Sequence, residues 1–108
     1  MINAITGNVS ITAELKIKET VEIYTGLSAI QQFCDDMNSE EGCLFAIAHQ
    51  DNEAPRKIIL WEIYKDKAAF DAHFIADHTK AFFSTALTEF VKAYETEPVA
   101  NILKGEIK

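Results

Sequence analysis

The chain has 108 residues, of which 48% are hydrophobic and 25% are charged, and this length and composition predict one globular domain. Its formal net charge of −7 and its scattered basic residues argue against binding to nucleic acid or to an anionic membrane surface. No apolar run approaches the ~18 residues of a membrane span, the N-terminus lacks a signal-peptide pattern, and two cysteines are too few for a disulfide scaffold, so we expect a cytoplasmic protein.

The first elements follow a short N-terminal lead-in at residues 1–8, and a single domain is expected at residues 9–108. Apolar and polar residues alternate along Val9–Ile17, and a period of two over nine residues predicts a strand with one buried face. Thr20 is the expected cap of a helix, since its hydroxyl can accept from the open amides of a first turn. Apolar residues then recur at intervals of three and four across residues 23–37, which predicts one helix with an apolar stripe.

Two short apolar segments predict a hairpin of strands. Residues 43–49 are followed by a polar loop, and their length favours a strand that carries Leu44, Ala46 and Ala48 on one face. The segment Lys57–Tyr64 is rich in β-branched and aromatic residues and is the expected second strand.

Two helices and a strand are predicted for the last third of the chain. Asp66 is the expected cap of the first helix, and Asp77 signals a second cap after a break. A dense apolar stripe over residues 82–94 predicts the strongest helix of the chain, which Pro98 ends. Residues 99–107 are then the expected last strand.

The resulting order of elements is β-α-β-β-α-β. This order predicts an α+β, ferredoxin-like split βαβ fold, with a four-stranded antiparallel sheet that carries its helices on one face. The predicted strands bear apolar residues on both faces, for example Leu60 on one and Trp61 on the other. An apolar face that the chain itself does not cover predicts a homodimer.

Three short motifs accompany these elements along the chain. They are Glu40/Glu41-Gly42-Cys43-Leu44 at the second strand, Glu62-Ile63-Tyr64 at the end of the third, and Ala69-Phe70-Asp71-Ala72-His73 followed by His78 in the helices after it. By these motifs, over about residues 9–107, the chain resembles the antibiotic biosynthesis monooxygenase domain family. That family includes quinol monooxygenases and the isomerase that processes a phosphorylated autoinducer.

The resemblance implies a dimeric α+β barrel in which two sheets pack face to face and each subunit keeps a pocket between sheet and helices. Oxygenase members of the family oxidise phenolic or quinol substrates with molecular oxygen and without metal or flavin, so no cofactor is expected. A haem-degrading branch uses an Asn on the first strand and a His in the last helix. Leu15 and Phe83 hold those places here, and neither side chain can ligate iron or donate a hydrogen bond, which disfavours haem.

Three residues are candidates for catalysis. His78 lies one turn before Phe82. As a general base it could deprotonate a bound quinol to an electron-rich anion that reacts with oxygen. Alternatively, His78 is a residue at a helix start that bonds a nearby carbonyl. His73 is either a second base or a half-buried histidine at a helix end. Glu62, on an apolar strand face, is a base, an orienting partner for a histidine, or half of a cross-strand or inter-subunit ion pair, for which Lys16 is a candidate partner.

Aromatic residues supply the candidate lining of a flat cavity that would take an aromatic ring, although each one alone is also a common core residue. No metal site is predicted, because two histidines five residues apart across a helix break are not an i, i+4 ligand pair. The candidate substrate-binding residues are Phe45, Trp61, Tyr64, Phe82 and Phe83.

Three functions are compatible with this sequence. The first is a cofactor-independent monooxygenase that acts on a small quinol or phenolic compound. The second is an isomerase or lyase acting on a small carbonyl compound, for which Arg56 and Lys57 are the clustered basic residues that a phosphorylated substrate would require. The third is a non-catalytic dimer that binds a small aromatic molecule. An aromatic cavity with few cations favours the first.

Overall fold

The computed structural model describes residues 8–103, so most of the predicted N-terminal lead-in and the end of the last predicted strand lie outside the described residues. Eight elements follow one another in this range. They are β1 (Val9–Ile17), α1 (Ile23–Asn38), β2 (Cys43–Gln50), β3 (Lys57–Tyr64), α2 (Lys67–Ile75), α3 (Asp77–Ser84), β4 (Thr88–Thr96) and α4 (Val99–Leu103).

The four strands form one antiparallel sheet in the order β2-β3-β1-β4, which confirms the predicted α+β, ferredoxin-like arrangement. β1 lies inside the sheet and pairs with β3 on one side and with β4 on the other. Its residues alternate between buried and half-buried along its whole length, because one face meets the helices and the other does not. Among the described residues, no helix is long and apolar enough to cross a bilayer.

The last third of the chain departs from the predicted elements. The helix predicted at residues 82–94 and the strand predicted at residues 99–107 are both wrong, because α3 ends at Ser84, β4 follows, and the segment after β4 is helical. Ala86 has a φ of 55°, a left-handed conformation that a helix cannot continue through. Beyond Ala86 the chain pairs along β1, and this inter-strand ladder satisfies the backbone groups that a longer helix would have satisfied internally.

The helix starts are set by side chains that differ in part from those expected. Glu22, not Thr20, caps α1, and its carboxylate accepts from two backbone amides of the first turn. These two hydrogen bonds lower the pKa of Glu22. Asp66 caps α2 as predicted. Asp77 is the first residue of α3 and not its cap; the capping position belongs to Ala76, which makes no side-chain hydrogen bond there.

β2 contains an irregularity that changes which side chains share a face. The pairing of β2 with β3 shifts register between Cys43 and Phe45, so the strict alternation predicted for this strand is broken. Leu44 is consequently exposed, whereas Ala46 is buried and Ala48 is half-buried. The predicted shared face of Leu44 with the two alanines is therefore wrong.

The hydrophobic core lies between the helices and one face of the sheet. It combines the inward side chains of the central strands with the buried stripe of α1 and with one phenylalanine of α3. Gly26 allows α1 to approach the end of β1, since a Cβ at this position would lie 2.6 Å from Cγ2 of Ile17. The helix-free face of the sheet stays open, with Trp61, Ile47 and Tyr94 each about half exposed.

Candidate active site

A cavity of about 200 Å³ lies between the helices and the sheet. Inward side chains of β1 form one wall, and aromatic side chains of α1, α2, α3 and β4 form much of the rest. Phe74, Phe83 and Phe90 line the cavity and are each more than half exposed, so they form its rim. Of the lining side chains, two are ionisable: Glu62 of β3 and His73 of α2. The cavity is therefore apolar with two groups that can exchange protons.

Glu62 is a buried carboxyl group that Tyr64 holds in place. The side chain is 6% exposed, and the hydroxyl of the fully buried Tyr64 donates to its Oε1 over 2.6 Å. Burial raises the pKa of Glu62, against the opposing effects of the Tyr64 hydrogen bond and of His73. The cross-strand ion pair with Lys16 is wrong, because the Lys16 ammonium lies 3.3 Å from Glu19, whereas an ion pair with a second subunit stays a prediction.

His73 and His78 meet at one carboxylate. Nδ1 of His73 lies 2.8 Å from Oε2 of Glu40, and Nε2 of His78 lies 2.5 Å from the same oxygen. The side chain of His73 is 6% exposed, that of Glu40 13% and that of His78 25%, so the cluster extends from the interior to the surface. The Thr79 hydroxyl lies 3.3 Å from Nδ1 of His73 and completes this arrangement.

Two backbone features bring these three side chains together. Between α2 and α3 the chain passes through a single extended residue, Ala76, with φ −65° and ψ 144°, which turns the start of α3 back towards the end of α2. On the other side, the loop with Glu40 rests directly on α2 because Gly42 has no side chain. A Cβ at Gly42 would lie 2.2 Å from Cβ of Ala69.

The predicted site residues fall into separate places. His73, Glu62 and Phe83 line the cavity, and Tyr64 is buried against Glu62. His78 does not line the cavity; together with Phe82 it borders a shallow cleft between α1 and α3 and reaches His73 through Glu40.

Two further predicted lining residues lie outside the cavity, as Tyr64 and Phe82 do, but on the helix-free face. Trp61 is half exposed on the helix-free face, where its ring lies 4.7 Å from that of His49. Phe45 pairs with Ile63, the next residue on that face of β3, and so lies on the same side as Trp61. Neither belongs to the cavity lining, because strand alternation directs both side chains away from the helices.

Sequence reasoning missed Glu40 and the aromatic residues that α1 and α2 bring to the cavity. Phe33 of α1 lines the cavity and stacks on Phe82, with ring centroids 4.3 Å apart and planes 2° apart. Phe70 and Phe74 of α2 complete the lining. A signal for Glu40 was present in the motif before Gly42-Cys43-Leu44, although the motif itself does not say that this carboxylate meets both histidines.

The cluster of Glu40, His73 and His78 also has the ligand types of a metal site, with ligand atoms within 4.8 Å of one another. The contact distances fit hydrogen bonds better than coordination. Two ligand atoms 2.5 Å apart, each ~2.1 Å from an ion, would subtend only about 73° at that ion, which is narrower than a tetrahedral or octahedral angle. The prediction that the chain has no metal site stays a prediction.

Comparison with known sequences places the chain beside one family and one named relative. The sequence model described as antibiotic biosynthesis monooxygenase matches residues 9–85. The uncharacterized protein YjcS of Bacillus subtilis is 34% identical over 79 residues, which cover 73% of this chain and 75% of YjcS.

Solved structures with this fold come from several sources. The structure titled protein YJCS has a TM-score of 0.76 and 30% identity, covering 84% of this chain and 98% of its own. PA3566 from Pseudomonas aeruginosa has a TM-score of 0.77 at 20% identity and covers 87% of this chain and 96% of its own. A conserved protein from Methanosarcina mazei Go1 has a TM-score of 0.69 at 22% identity, covering 83% and 93%. The last two likenesses concern the fold alone.

Proposed function

Because the chain belongs to the antibiotic biosynthesis monooxygenase family, we propose that it oxidises a small quinol or phenolic compound with molecular oxygen, without a metal or flavin. The observation that carries this proposal is the aromatic cavity with Glu62 and His73 in its wall. An engineered apolar cavity of ~150 Å³ binds benzene, so a cavity of about 200 Å³ has room for one substituted ring.

In the proposed reaction His73 takes the phenolic proton, since it is the imidazole that lines the cavity. The O–H bond breaks, and the phenolate ring donates electrons to oxygen to form a C–O bond and, after protonation, a ring hydroperoxide. Loss of water then breaks the O–O bond and the ring C–H bond and leaves a carbonyl group. Overall, a phenol and O₂ give a quinone and water, and each of these two products receives one of the oxygen atoms of O₂. Glu62, held by Tyr64, is placed to exchange protons with the hydroperoxide.

The alternative of an isomerase for a phosphorylated carbonyl compound has less support. Within residues 8–103, the side chains that line the cavity include no Lys or Arg. The Arg56 guanidinium is occupied elsewhere: its Nη1 donates to the carbonyls of Lys18 and Val21 over 2.6 and 2.8 Å. The described part of the chain therefore offers a dianionic phosphate no cationic partner at the cavity.

The proposal includes a homodimer formed through the helix-free face of the sheet. Trp61, Ile47 and Tyr94 on this face are about half exposed, and a second copy would cover them. The cavity lies on the other side of the sheet, so each subunit would keep its own site.

Oxygen consumption with a panel of dihydroquinones and hydroxylated naphthalenes tests the proposed activity. We expect turnover by the wild type and a loss of about 100-fold or more in His73→Gln, within the usual contribution of a general base. His49→Gln is the matched control, since His49 is exposed on the helix-free face and its activity should match the wild type. Failure of every compound to react, or equal turnover by His73→Gln and wild type, would contradict the proposal.

A further inference from the structure

One oxygen atom of Glu40 contacts the imidazoles of both His73 and His78, and this shared contact affects which imidazole can act as a base. We propose that Glu40 is a positioning residue: it holds the proton of His73 on Nδ1, so that Nε2 is the unprotonated nitrogen available to the cavity. His78 competes with His73 for the same oxygen and so shifts the pH range in which His73 can work. The inference rests on the proposed function for its catalytic meaning, although the tautomer it assigns can be measured without any substrate.

The contact between Glu40 and His73 determines the tautomer. An ionised carboxylate only accepts hydrogen bonds, so Nδ1 of His73, 2.8 Å from Oε2, must be the donor. A neutral imidazole carries one proton, which leaves Nε2 bare. The ring lines the cavity, so Nε2 is the nitrogen left to receive a proton from a bound phenol. When it does, the resulting imidazolium faces the carboxylate that already holds it, in the manner of the acid residue of a Ser-His-Asp triad.

His78 competes for the same carboxylate. Its Nε2 lies 2.5 Å from Oε2 of Glu40, and its side chain is 25% exposed and therefore exchanges protons with water. A protonated His78 would neutralise Glu40 and would place a like charge near His73, whose ring centroid is 6.4 Å away. One carboxylate favours one imidazolium, so the two histidines compete for it.

Besides Glu40, the acidic side chain that lines the cavity with His73 is Glu62 of β3, and burial raises its pKa. Tyr64 of β3 donates to Glu62, and burial keeps its pKa raised, so it stays a neutral donor. Cys43 of β2 has its pKa raised to about 12, first by burial, and remains a thiol. Asp36 of α1 borders the outer cleft beside His78. Glu40 is the acidic side chain that both histidines contact.

Nitrogen-15 NMR of the histidine rings in the full chain tests the assignment directly. In the wild type we expect Nδ1 of His73 protonated and Nε2 bare above neutral pH. In Glu40→Gln we expect a mixture of tautomers, because an amide can either accept from Nδ1 or donate to it. Glu41→Gln is the matched control: Glu41 is the adjacent, 97% exposed carboxylate that contacts Lys65, and its variant should leave the His73 signals unchanged.

The kinetic arm uses any quinol that the wild type turns over. We expect Glu40→Gln to lower kcat by about 10- to 1000-fold with KM within about threefold, Glu40→Asp to restore part of kcat, and Glu41→Gln to match the wild type. His78→Gln keeps an uncharged donor to Glu40, and no second imidazolium then competes for the carboxylate, so the acid limb of the kcat profile should move to higher pH. A merely structural role of Glu40 would not move this limb.

An unchanged His73 tautomer in Glu40→Gln would overturn the inference. So would a metal ion bound at one per chain in the purified protein with both rings coordinated, since Glu40 would then be a ligand. If the NMR result is as expected but no quinol or phenol reacts, the proposed function fails while the positioning role stands.

Discussion

Phe82 and Phe83 are adjacent in sequence but differ in burial, so replacing each with Ala separates packing from the cavity. Phe82 is 7% exposed and stacks on Phe33, whereas Phe83 is 52% exposed at the cavity rim. A buried Phe→Ala change costs about 3–5 kcal/mol, so we expect Phe82→Ala to lower the free energy of unfolding by at least about 3 kcal/mol. Complete burial of such a side chain contributes ~1.5–3 kcal/mol, and Phe83 is only half buried, so we expect Phe83→Ala to lower the free energy of unfolding by about 1 kcal/mol.

Urea unfolding followed by circular dichroism measures both effects. With a slope near ~1.5 kcal/mol/M, Phe82→Ala should lower the midpoint by about 2 M and Phe83→Ala by less than about 1 M, at an unchanged slope. One protein concentration is used throughout, because a dimer would make the midpoint depend on it. Phe83→Ala should instead raise KM for a quinol. Equal midpoints for the two variants would refute the assignment of Phe82 to the core and of Phe83 to the cavity rim.

Three further predictions concern the carboxyl group in the cavity, the loop that rests on α2, and the open face. The pKa of Glu62 is raised in the native state, so the native carboxyl keeps a proton that the unfolded chain loses, and the free energy of unfolding falls as pH rises from about 4.5 through the native pKa. Glu62→Gln cannot titrate, so urea melts should show its free energy of unfolding rising relative to that of the wild type over this pH range. A difference between the two proteins that stays constant with pH would contradict the raised pKa. Gly42→Ala should lower the free energy of unfolding by about 1–3 kcal/mol, because its Cβ clashes with Ala69. Adding Ala69→Gly to this variant should recover part of that loss, and a double variant whose loss equals the sum of the two single losses would contradict the clash. Light scattering after size exclusion should find a dimer for the wild type and a monomer for Trp61→Lys; a wild-type monomer at micromolar concentration would contradict the helix-free interface.

The first two thirds of the fold could be predicted because each element carries its own local signal. The strict alternation of β1, the apolar stripe of α1 and the Asp66 cap of α2 require no knowledge of the rest of the chain. β4 was missed because its apolar residues also fit a helical spacing. The free edge of β1 and the left-handed conformation at Ala86 favour a strand over a helix here, and both are properties of the assembled sheet and not of the segment.

The candidate site was predictable in its residue types but not in its connections. Sequence reasoning named His73, His78 and Glu62, yet it favoured His78 as the general base because His78 lies one turn before Phe82, on the same predicted apolar stripe. The carboxylate that joins the histidines comes from 33 residues before His73. Such a long-range contact leaves no periodic pattern along the chain, and only the packing of the loop on α2 creates it.

The extended residue between α2 and α3 makes the number of residues here more important than their identity. In an unbroken helix, five residues would place His73 and His78 about 140° apart around the axis and ~7.5 Å apart along it, out of reach of one oxygen. The side chain of Ala76 makes no capping hydrogen bond, so many small residues would serve at this position. Removing or adding one residue, in contrast, would rotate His78 by about 100° and separate it from Glu40. Across relatives, the spacing between these histidines should therefore vary less than the residues that fill it.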